Sequence, residues 1–513
     1  MPTKCEIRIW LCVLLAASAG PRCRGDTVID APTPGPTETN SLYPLLIKQA
    51  GLTNPPSMRY QQVYNSTLFT NLDSTNITTL WFYLEFLTNR TLVNWTVPMM
   101  QINLSTTSKS ADGLSPVFLE NVGPDNTVVF GPGSYSFRGN APDTAMGVTL
   151  ERSFRYNPAL GNLLVDIRIF DGSGPIDPNG PALEAFNSPT DEVSRVWSTN
   201  VNASAADGVD TTGLTTHFLL SPDAFITVPS PRAAETFTVF PFLIRQTYNF
   251  GPTNYTVSMR YQQVYSSNLF EGLDPSLVYL TSLTFFLESQ LYPGSGFGWL
   301  VKNMQINLST TPKGPSDLST IFSQNVGADD TIVLGPRTNG FSGSTPDGPM
   351  TVYLDRPFRY NPAHGNILMD VRITDQTGPF LYDMFFADLA AFNSPTGLVS
   401  RVWSTNVTAS AADGVDGTGL TTVFQFDGIP SLRSAFLPVA YGSGISNVIH
   451  IKWPSQPSIF QLQRADQAAL NQVWQSVTNQ LGGGALGGGW FIDVPTATSP
   501  PHGVYRLVWP TGH

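Results

Sequence analysis

Cysteine is almost missing. The chain of 513 residues holds three, Cys5, Cys12 and Cys23, so nothing after residue 23 can be stapled by an internal disulfide. Charge is scarce as well. Charged residues make up 13% of the chain, about half the usual share of a soluble domain. Lys and Arg number 27 against 38 Asp and Glu, a net charge of −11 with no dense basic run. That excludes a phosphate-neutralising nucleic-acid surface. Long apolar runs are missing too: Ile9 to Ala17 is the best, and nine residues do not span a bilayer. No segment of ten or more residues in the repeated region keeps a helical period of 3.6.

What is present is turn chemistry and apolar mass. There are 44 Gly, 42 Pro, 41% hydrophobic and 11% aromatic residues, which suits an all-β extracellular protein and excludes disorder. The N-terminus predicts export. Lys4 and Arg8 precede the apolar run, and Ala17-Ser18-Ala19 is a small-x-small cleavage site. Residues 1–19 are therefore expected to be a signal peptide. Cys5 and Cys12 leave with it. Cys23 follows Pro21-Arg22 rather than the small residues a lipoprotein site requires. The mature chain is expected to be secreted or on the cell surface, with no membrane span.

The chain repeats itself. Met58 to Tyr64 (MRYQQVY) recurs at Met259 to Tyr265, Met100 to Thr107 (MQINLSTT) at Met304 to Thr311, and Phe154 to Ala159 (FRYNPA) at Phe358 to Ala363. Ala185 to Thr190 (AFNSPT) recurs at Ala391 to Thr396, and Arg195 to Val201 (RVWSTNV) at Arg401 to Val407. The offset grows from 201 at the first motif to 204 at the second and 206 at Ala185, as short loop insertions would make it. This is a whole-domain duplication. The expected layout is a Pro-rich leader at 20–40, copy one at 41–220, a linker at 221–235, copy two at 236–428, and an unduplicated module at 429–513.

Period-two alternation marks strands. Met100, Ile102 and Leu104 share a face, as do Met146, Val148 and Leu150, and Leu163, Val165, Ile167 and Ile169. With Thr78 to Phe86, Thr127 to Phe130, Val193 to Thr199 and Thr215 to Leu219, about eight strands per copy are expected. The predicted fold is two tandem jelly-roll-like β-sandwiches. The last module reads as a small fibronectin-III-like sandwich, with strands at Ile449–Trp453, Phe460–Gln463 and Val504–Val508. Asp466 to Leu481 looks helical by composition, although Val473 to Val477 alternates.

The sets RYQQVY, INLSTT, FRYNPALGNLLVDIR and RVWST resemble a domain of exported bacterial proteins that often carry a PEP-CTERM sorting tail. The final segment, IKWPSQPSIFQLQ through VYRLVWP, is similar to small β modules that close such proteins. The resemblance implies fold and export and assigns no activity. After Leu507 no Val-Pro-Glu-Pro signature or apolar span follows, so sorting by such a tail is not expected.

Chemistry is sparse. The histidines are His217, His364, His450, His502 and His513, and none is shared by both copies. A duplicated Ser-His-Asp site or His metal site is thereby excluded, and HExxH, GxSxG, P-loop and CxxC motifs are absent. No catalytic residue is assigned. Two sets of candidates remain. Tyr60, Gln62 and Tyr64, with Tyr261, Gln263 and Tyr265, offer rings and amides of the kind that bind sugars; core packing is the alternative. Asp207 and Asp210, with Asp413 and Asp416, form Asp-Gly-Val-Asp loops whose oxygens suit calcium, although a plain turn explains them equally. Asp166 and Asp370 sit beside Arg168 and Arg372 and are expected to form cross-strand or same-face ion pairs on a solvated face. Nine Asn-x-Ser/Thr triplets occur, at Asn65, Asn76, Asn89, Asn94, Asn103, Asn202, Asn254, Asn307 and Asn406. Asn103 and Asn307 fall in predicted strands, which argues against glycan attachment there. The expected function is a non-enzymatic structural or adhesive surface protein. A carbohydrate-binding protein, or an accessory module of polysaccharide breakdown, is the alternative. Extracellular polysaccharide or cell-surface components are the expected partners, and no cofactor is expected beyond the candidate calcium.

Overall fold

The computed structural model describes residues 27–32, 38–41, 44, 57–69, 75–84, 91–141, 145–171, 183–187, 192–221, 223–228, 235–238, 241, 258–273, 278–289, 296–344, 348–375, 387–394, 397–427, 433–441, 444–453, 461–465, 475–476, 490–495 and 504–508. The expected signal peptide and Cys23 lie outside the described residues. Among them there is no α-helix; strands and short 3-10 turns carry the chain.

The first copy runs through β1 (Thr27–Ala31), β2 (Glu38–Ser41), β3 (Met58–Tyr64), β4 (Thr75–Tyr83), β5 (Thr91–Thr107), β6 (Thr127–Ala141) and β7 (Ala145–Tyr156). It continues with β8 (Asn162–Asp171), β9 (Leu183–Asn187), β10 (Val193–Ser198), β11 (Gly208–Asp210), β12 (Thr212–Leu214) and β13 (Thr216–Ser221). The second copy repeats that order. It comprises β14 (Ala224–Val228), β15 (Glu235–Thr238), β16 (Met259–Tyr265), β17 (Tyr279–Ser289), β18 (Gly296–Thr311), β19 (Thr331–Ser344) and β20 (Gly348–Arg359). Then follow β21 (Asn366–Asp375), β22 (Ala387–Asn393), β23 (Val399–Ser404), β24 (Gly414–Asp416), β25 (Thr418–Leu420) and β26 (Thr422–Asp427).

Each copy stacks two antiparallel sheets. In the first, β11-β10-β3-β8-β5-β6 form one sheet and β1-β13-β4-β7 lie in the other, with a small β12-β9-β2 sheet at the side. The second copy has its own six-stranded sheet, β19-β18-β21-β16-β23-β24. The alternating apolar residues expected to share a face do so: Met100, Ile102, Leu104, Leu163, Val165 and Ile167 all enter one core with Met146, Val148 and Leu150 from the facing sheet. The second core, around Met304, Ile306, Met369 and Val371, is built from the equivalent residues. Without disulfides, apolar burial of this kind carries the stability, at about 25 cal/mol per Å² removed from water.

The expected boundaries shift. The stretch read as a leader contains β1 and β2, and the stretch read as a linker contains β14 and the start of β15. Both are the opening strands of a copy. β1 pairs along its whole length with β13, and β14 does the same with β26. β14 also meets β7 at Ile226 and Arg152, so the two copies share one 11-stranded sheet.

The last module has β27 (Arg433–Tyr441), β28 (Gly444–Trp453), β29 (Gln461–Ala465), β30 (Gln475–Ser476), β31 (Trp490–Pro495) and β32 (Val504–Val508). They form two three-stranded antiparallel sheets, β27-β28-β31 and β30-β29-β32. Gln475–Ser476 therefore falls in a strand, inside the stretch whose composition looked helical; the remainder of 466–481 lies outside the described residues.

Candidate functional site

The duplicated Arg-Tyr-Gln-Gln-Val-Tyr strand is where most of the repeated chemistry sits. A strand points successive side chains to opposite faces. Both faces of β3 are covered, so its two glutamines, adjacent in sequence, end in different surroundings.

The inner face carries Tyr60, Gln62 and Tyr64. Each is at most 1% exposed, and Tyr261, Gln263 and Tyr265 are fully buried. The Tyr60 hydroxyl donates to Gln62 Oε1 at 2.5 Å. Gln62 Oε1 accepts from the Leu214 N–H at 2.8 Å, and its amide nitrogen donates to the Leu214 carbonyl at 3.0 Å. Tyr64 and Thr216 share a hydrogen bond of 2.5 Å. In the second copy Tyr261 donates to Gln263, whose Oε1 accepts from the Leu420 N–H, and Tyr265 meets Thr422 at 2.7 Å. Burial pushes the Tyr60 hydroxyl far above its ordinary pKa, against the opposing charge of Arg195. These six residues are not an exposed sugar platform. Their hydroxyls and amide oxygens bond inside the sandwich, to one another, to the Leu214 and Leu420 backbone and to Thr216 and Thr422, and of the six residues' polar groups Gln263 Nε2 is left without a partner.

Arg195 closes the same face. It forks onto Asp210, Nε to Oδ1 at 2.8 Å and Nη2 to Oδ2 at 3.0 Å, and donates to Ser41 Oγ at 2.6 Å. Its guanidinium lies 5.0 Å from the Trp197 ring. Arg401 repeats this with Asp416, Thr238 and Trp403. The tryptophan ring packs against Gly208 so closely that a Cβ there would come within 2.3 Å of its Cζ2; at Gly414 the figure is 2.4 Å. The glycine of each Asp-Gly-Val-Asp loop is thus required by the ring above it.

The acids of those loops are already engaged. Asp210 and Asp416 hold Arg195 and Arg401. Asp207 Oδ2 accepts from the Thr199 N–H at 2.8 Å and from Ser198 Oγ at 3.0 Å. Asp413 accepts from the Thr405 N–H at 2.9 Å. The backbone hydrogen bond from Thr199 chiefly holds Asp207 below the usual carboxylate range. Among the described residues no three acids, histidines or cysteines converge as a metal site would require. A carboxylate bonded by an arginine fork has few lone pairs left for a cation, which favours the plain turn over calcium. Excess Ca²⁺ should therefore leave the melting temperature within about 1 °C; a dose-dependent rise would reinstate the site, because native-state binding must stabilise.

The outer face of β3 carries Arg59, Gln61 and Val63. Asp166 is 2% exposed and takes Arg59 Nη2 at 2.9 Å, Arg168 Nη2 at 3.3 Å and Gln61 Nε2 at 3.0 Å. The expected ion pair is present, but it is buried rather than solvated. The chain between β5 and β6 folds over it. Phe118 lies under the Arg59 guanidinium at 4.5 Å, and Asn121 donates to Gln61 Oε1 at 3.0 Å. Asp370, Arg260, Arg372, Gln262, Phe322 and Asn325 reproduce this network in the second copy.

Of the histidines, His217 faces Asp30 and Tyr83, with the Trp81 ring 5.0 Å away, and His364 lies on an exposed turn beside Asn361. Neither is set beside a nucleophile by these contacts. The His450 side chain, His502 and His513 lie outside the described residues. Asn76, Asn103 and Asn307 are 3–5% exposed, which removes them as glycan acceptors in the folded chain.

Sequence reading missed the joint between the copies. Arg152 donates to the carbonyls of Leu269 and Glu271, both at 2.5 Å. Ser153 Oγ accepts the Phe225 N–H at 3.1 Å and donates to the Phe225 carbonyl at 3.4 Å. Phe225 packs on the first copy's core. Beside it lies a cleft of about 790 Å³, lined in part by Asp125, Asn126, Glu151, Asn268 and Glu271. The signal was available. Pro32-Thr33-Pro34 matches Pro229-Ser230-Pro231, and Glu38-Thr39 matches Glu235-Thr236, at a single offset of 197. Comparison with protein-family models, with curated proteins and with solved structures returns no match to this chain.

Proposed function

We propose that the chain is a non-enzymatic, exported protein of structural or adhesive type, whose two sandwiches act as one stiff spacer. One observation supports this most strongly: the polar side chains repeated in both copies are spent on bonds within the fold, on both faces of β3 and β16. Residues kept for catalysis or ligand binding would instead converge on open space. The continuous sheet through β7, β14 and β26 supports stiffness. Successive strands pass repeatedly between the two sheets of each copy, and on that basis we read the sandwiches as jelly-roll-like. In the last module the first, second and fifth strands share a sheet, as do the fourth, third and sixth. That order supports the fibronectin-III-like reading. Export, surface location and kinship with the exported bacterial proteins belong to the same proposal and rest on the N-terminal signal and the shared motifs.

Spin labels at the equivalent exposed turns test the spacer. With Leu160→Cys and His364→Cys in a Cys23→Ser background, one narrow inter-label distance distribution is expected, and a broad one overturns the reading. The carbohydrate alternative rests on the joint cleft, a polar space of suitable size. A glycan array with no bound sugar would dismiss it.

A further inference from the structure

We infer that the outer face of the second copy carries a binding site for an acidic group, the carboxylate or sulfate of an extracellular polysaccharide, and that the first copy does not share it. The site goes beyond the spacer reading and lies apart from the joint cleft. It is a space of about 410 Å³, lined in part by Arg260, Asn303, Gln305, Arg372, Thr374 and Thr408, and its size falls in the range of small-ligand sites.

Strand register builds the floor. Arg260 lies opposite Arg372, and Arg372 opposite Gln305, so β16, β21 and β18 set the three side by side on one face. Like charges directly opposite each other repel unless an anion joins them. Asp370 gives the pair one carboxylate, at 2.9 Å from Arg260 and 3.0 Å from Arg372. Asp330 also acts on Arg372. Neither acid lines the cleft, whose described wall holds two guanidinium groups and no carboxylate. Arg372 spends Nε and Nη2 on Asp370. Its Nη1 bonds no described residue, so part of the fork is left for a ligand oxyanion.

The rim separates the copies. The floor recurs as Arg59, Gln101 and Arg168, but Met99 stands for Asn303 and Phe170 for Thr374. Met99 is 44% exposed and Phe170 36%, so the first copy presents apolar groups where the second offers an amide and a hydroxyl. The backbone differs too. Asn303 is the one non-glycine among the described residues with a positive φ, 49°, a conformation that asparagine tolerates and that clusters at ligand sites. Thr374 Oγ1 donates to the Asn303 carbonyl at 3.3 Å. The Asn303 amide and the Thr374 and Thr408 hydroxyls stand around the guanidinium pair, where sugar hydroxyls beside the acidic group would fall. The shared floor serves the fold, and the unshared rim makes it a site.

Isothermal titration calorimetry on the purified chain tests this with a galacturonate oligosaccharide, a sulfated dextran oligosaccharide and neutral dextran. One equivalent of an acidic probe should bind per chain, more weakly as salt rises, and the tighter of the two identifies the group. Arg372→Gln should weaken binding about tenfold or more, as loss of a charged hydrogen bond does. Thr374→Phe gives β21 the residue that β8 carries in a folded copy, so it should weaken binding as much at an unchanged melting temperature. Arg168→Gln in the first copy should leave the affinity as it is. Failure of both acidic probes to bind, equal binding of neutral dextran, or equal losses from Arg168→Gln and Arg372→Gln would overturn the inference. Should Arg372→Gln fail to fold, full affinity in Thr374→Phe would overturn it alone.

Discussion

Replacing Asp370 with alanine is expected to destabilise the second copy by about 3–5 kcal/mol, the usual cost of leaving one member of a buried ion pair alone. Asp370 takes Arg260 at 2.9 Å, Arg372 at 3.0 Å and the Gln262 amide at 3.0 Å. Arg372 is about a third exposed, so water would rescue its charge. Arg260 is only 14% exposed and lies against Phe322, so most of the loss arises there. Hydrogen exchange followed by mass spectrometry reads each copy separately, which a single unfolding curve for a multidomain chain does not. A loss below about 1 kcal/mol would show that the pair is effectively solvated. The sign of the pH dependence follows. Burial alone would raise the Asp370 pKa, but hydrogen bonds from Arg372 and Arg260 outweigh it and hold the carboxyl below the ordinary range. A carboxyl whose folded pKa is depressed contributes stability that is complete above its unfolded value of about 4 and fades as pH falls through the folded value. The difference between the parent and Asp370→Ala should therefore shrink below about pH 4.

Phe270→Ala should cost the second copy a similar amount, about 3–5 kcal/mol, through the cavity it leaves. The ring is fully buried and meets Tyr360, Phe424 and Phe426 edge-on at 5.2, 5.1 and 6.0 Å. It also anchors the turn whose carbonyls, at Leu269 and Glu271, receive Arg152. Loss of the ring should thus loosen the joint and broaden the distance between copies. Phe69, its equivalent among Tyr156 and Phe218, supplies the control. Phe69→Ala should weaken the first copy as much and leave the joint intact. Equal broadening by both variants would break the proposed link between this turn and the joint.

The main strands were legible because their inner faces alternate strictly: Met100 to Leu104 and Leu163 to Ile169 need only a period of two. The short strands were not. β1, β2, β11 and β12 have three to five residues each and lie among Pro, Gly and Asp that read as loop. The Tyr/Gln element reads two ways in sequence, as core or as a sugar-binding surface, for a different reason. A β3 buried on both faces places Gln61 and Gln62 in separate interiors, whereas amides and phenols in sequence look like a surface. Only the chain that folds over Asp166 converts the outer side into a second, polar interior, and that cover depends on contacts about 60 residues apart, such as Asn121 with Gln61. Arg152 carried no local signal, since its partners are backbone carbonyls of the other copy.

The identity of the two Arg-Tyr-Gln-Gln-Val-Tyr strands has a consequence for how the chain reaches its native state. While it folds, either strand fits either slot, because β8 and β21 offer the same Asp, Arg and apolar partners in the same register. Tandem copies this alike are exposed to strand exchange and misassembly. The residues around each slot differ where they are local to the copy: Arg195 reaches Ser41 in one and Arg401 reaches Thr238 in the other. If copy one folds first during synthesis, its β7 edge is complete before β14 emerges. The waiting edge then positions the second copy's first strand, so that the order of synthesis, rather than strand identity, sorts the duplicates.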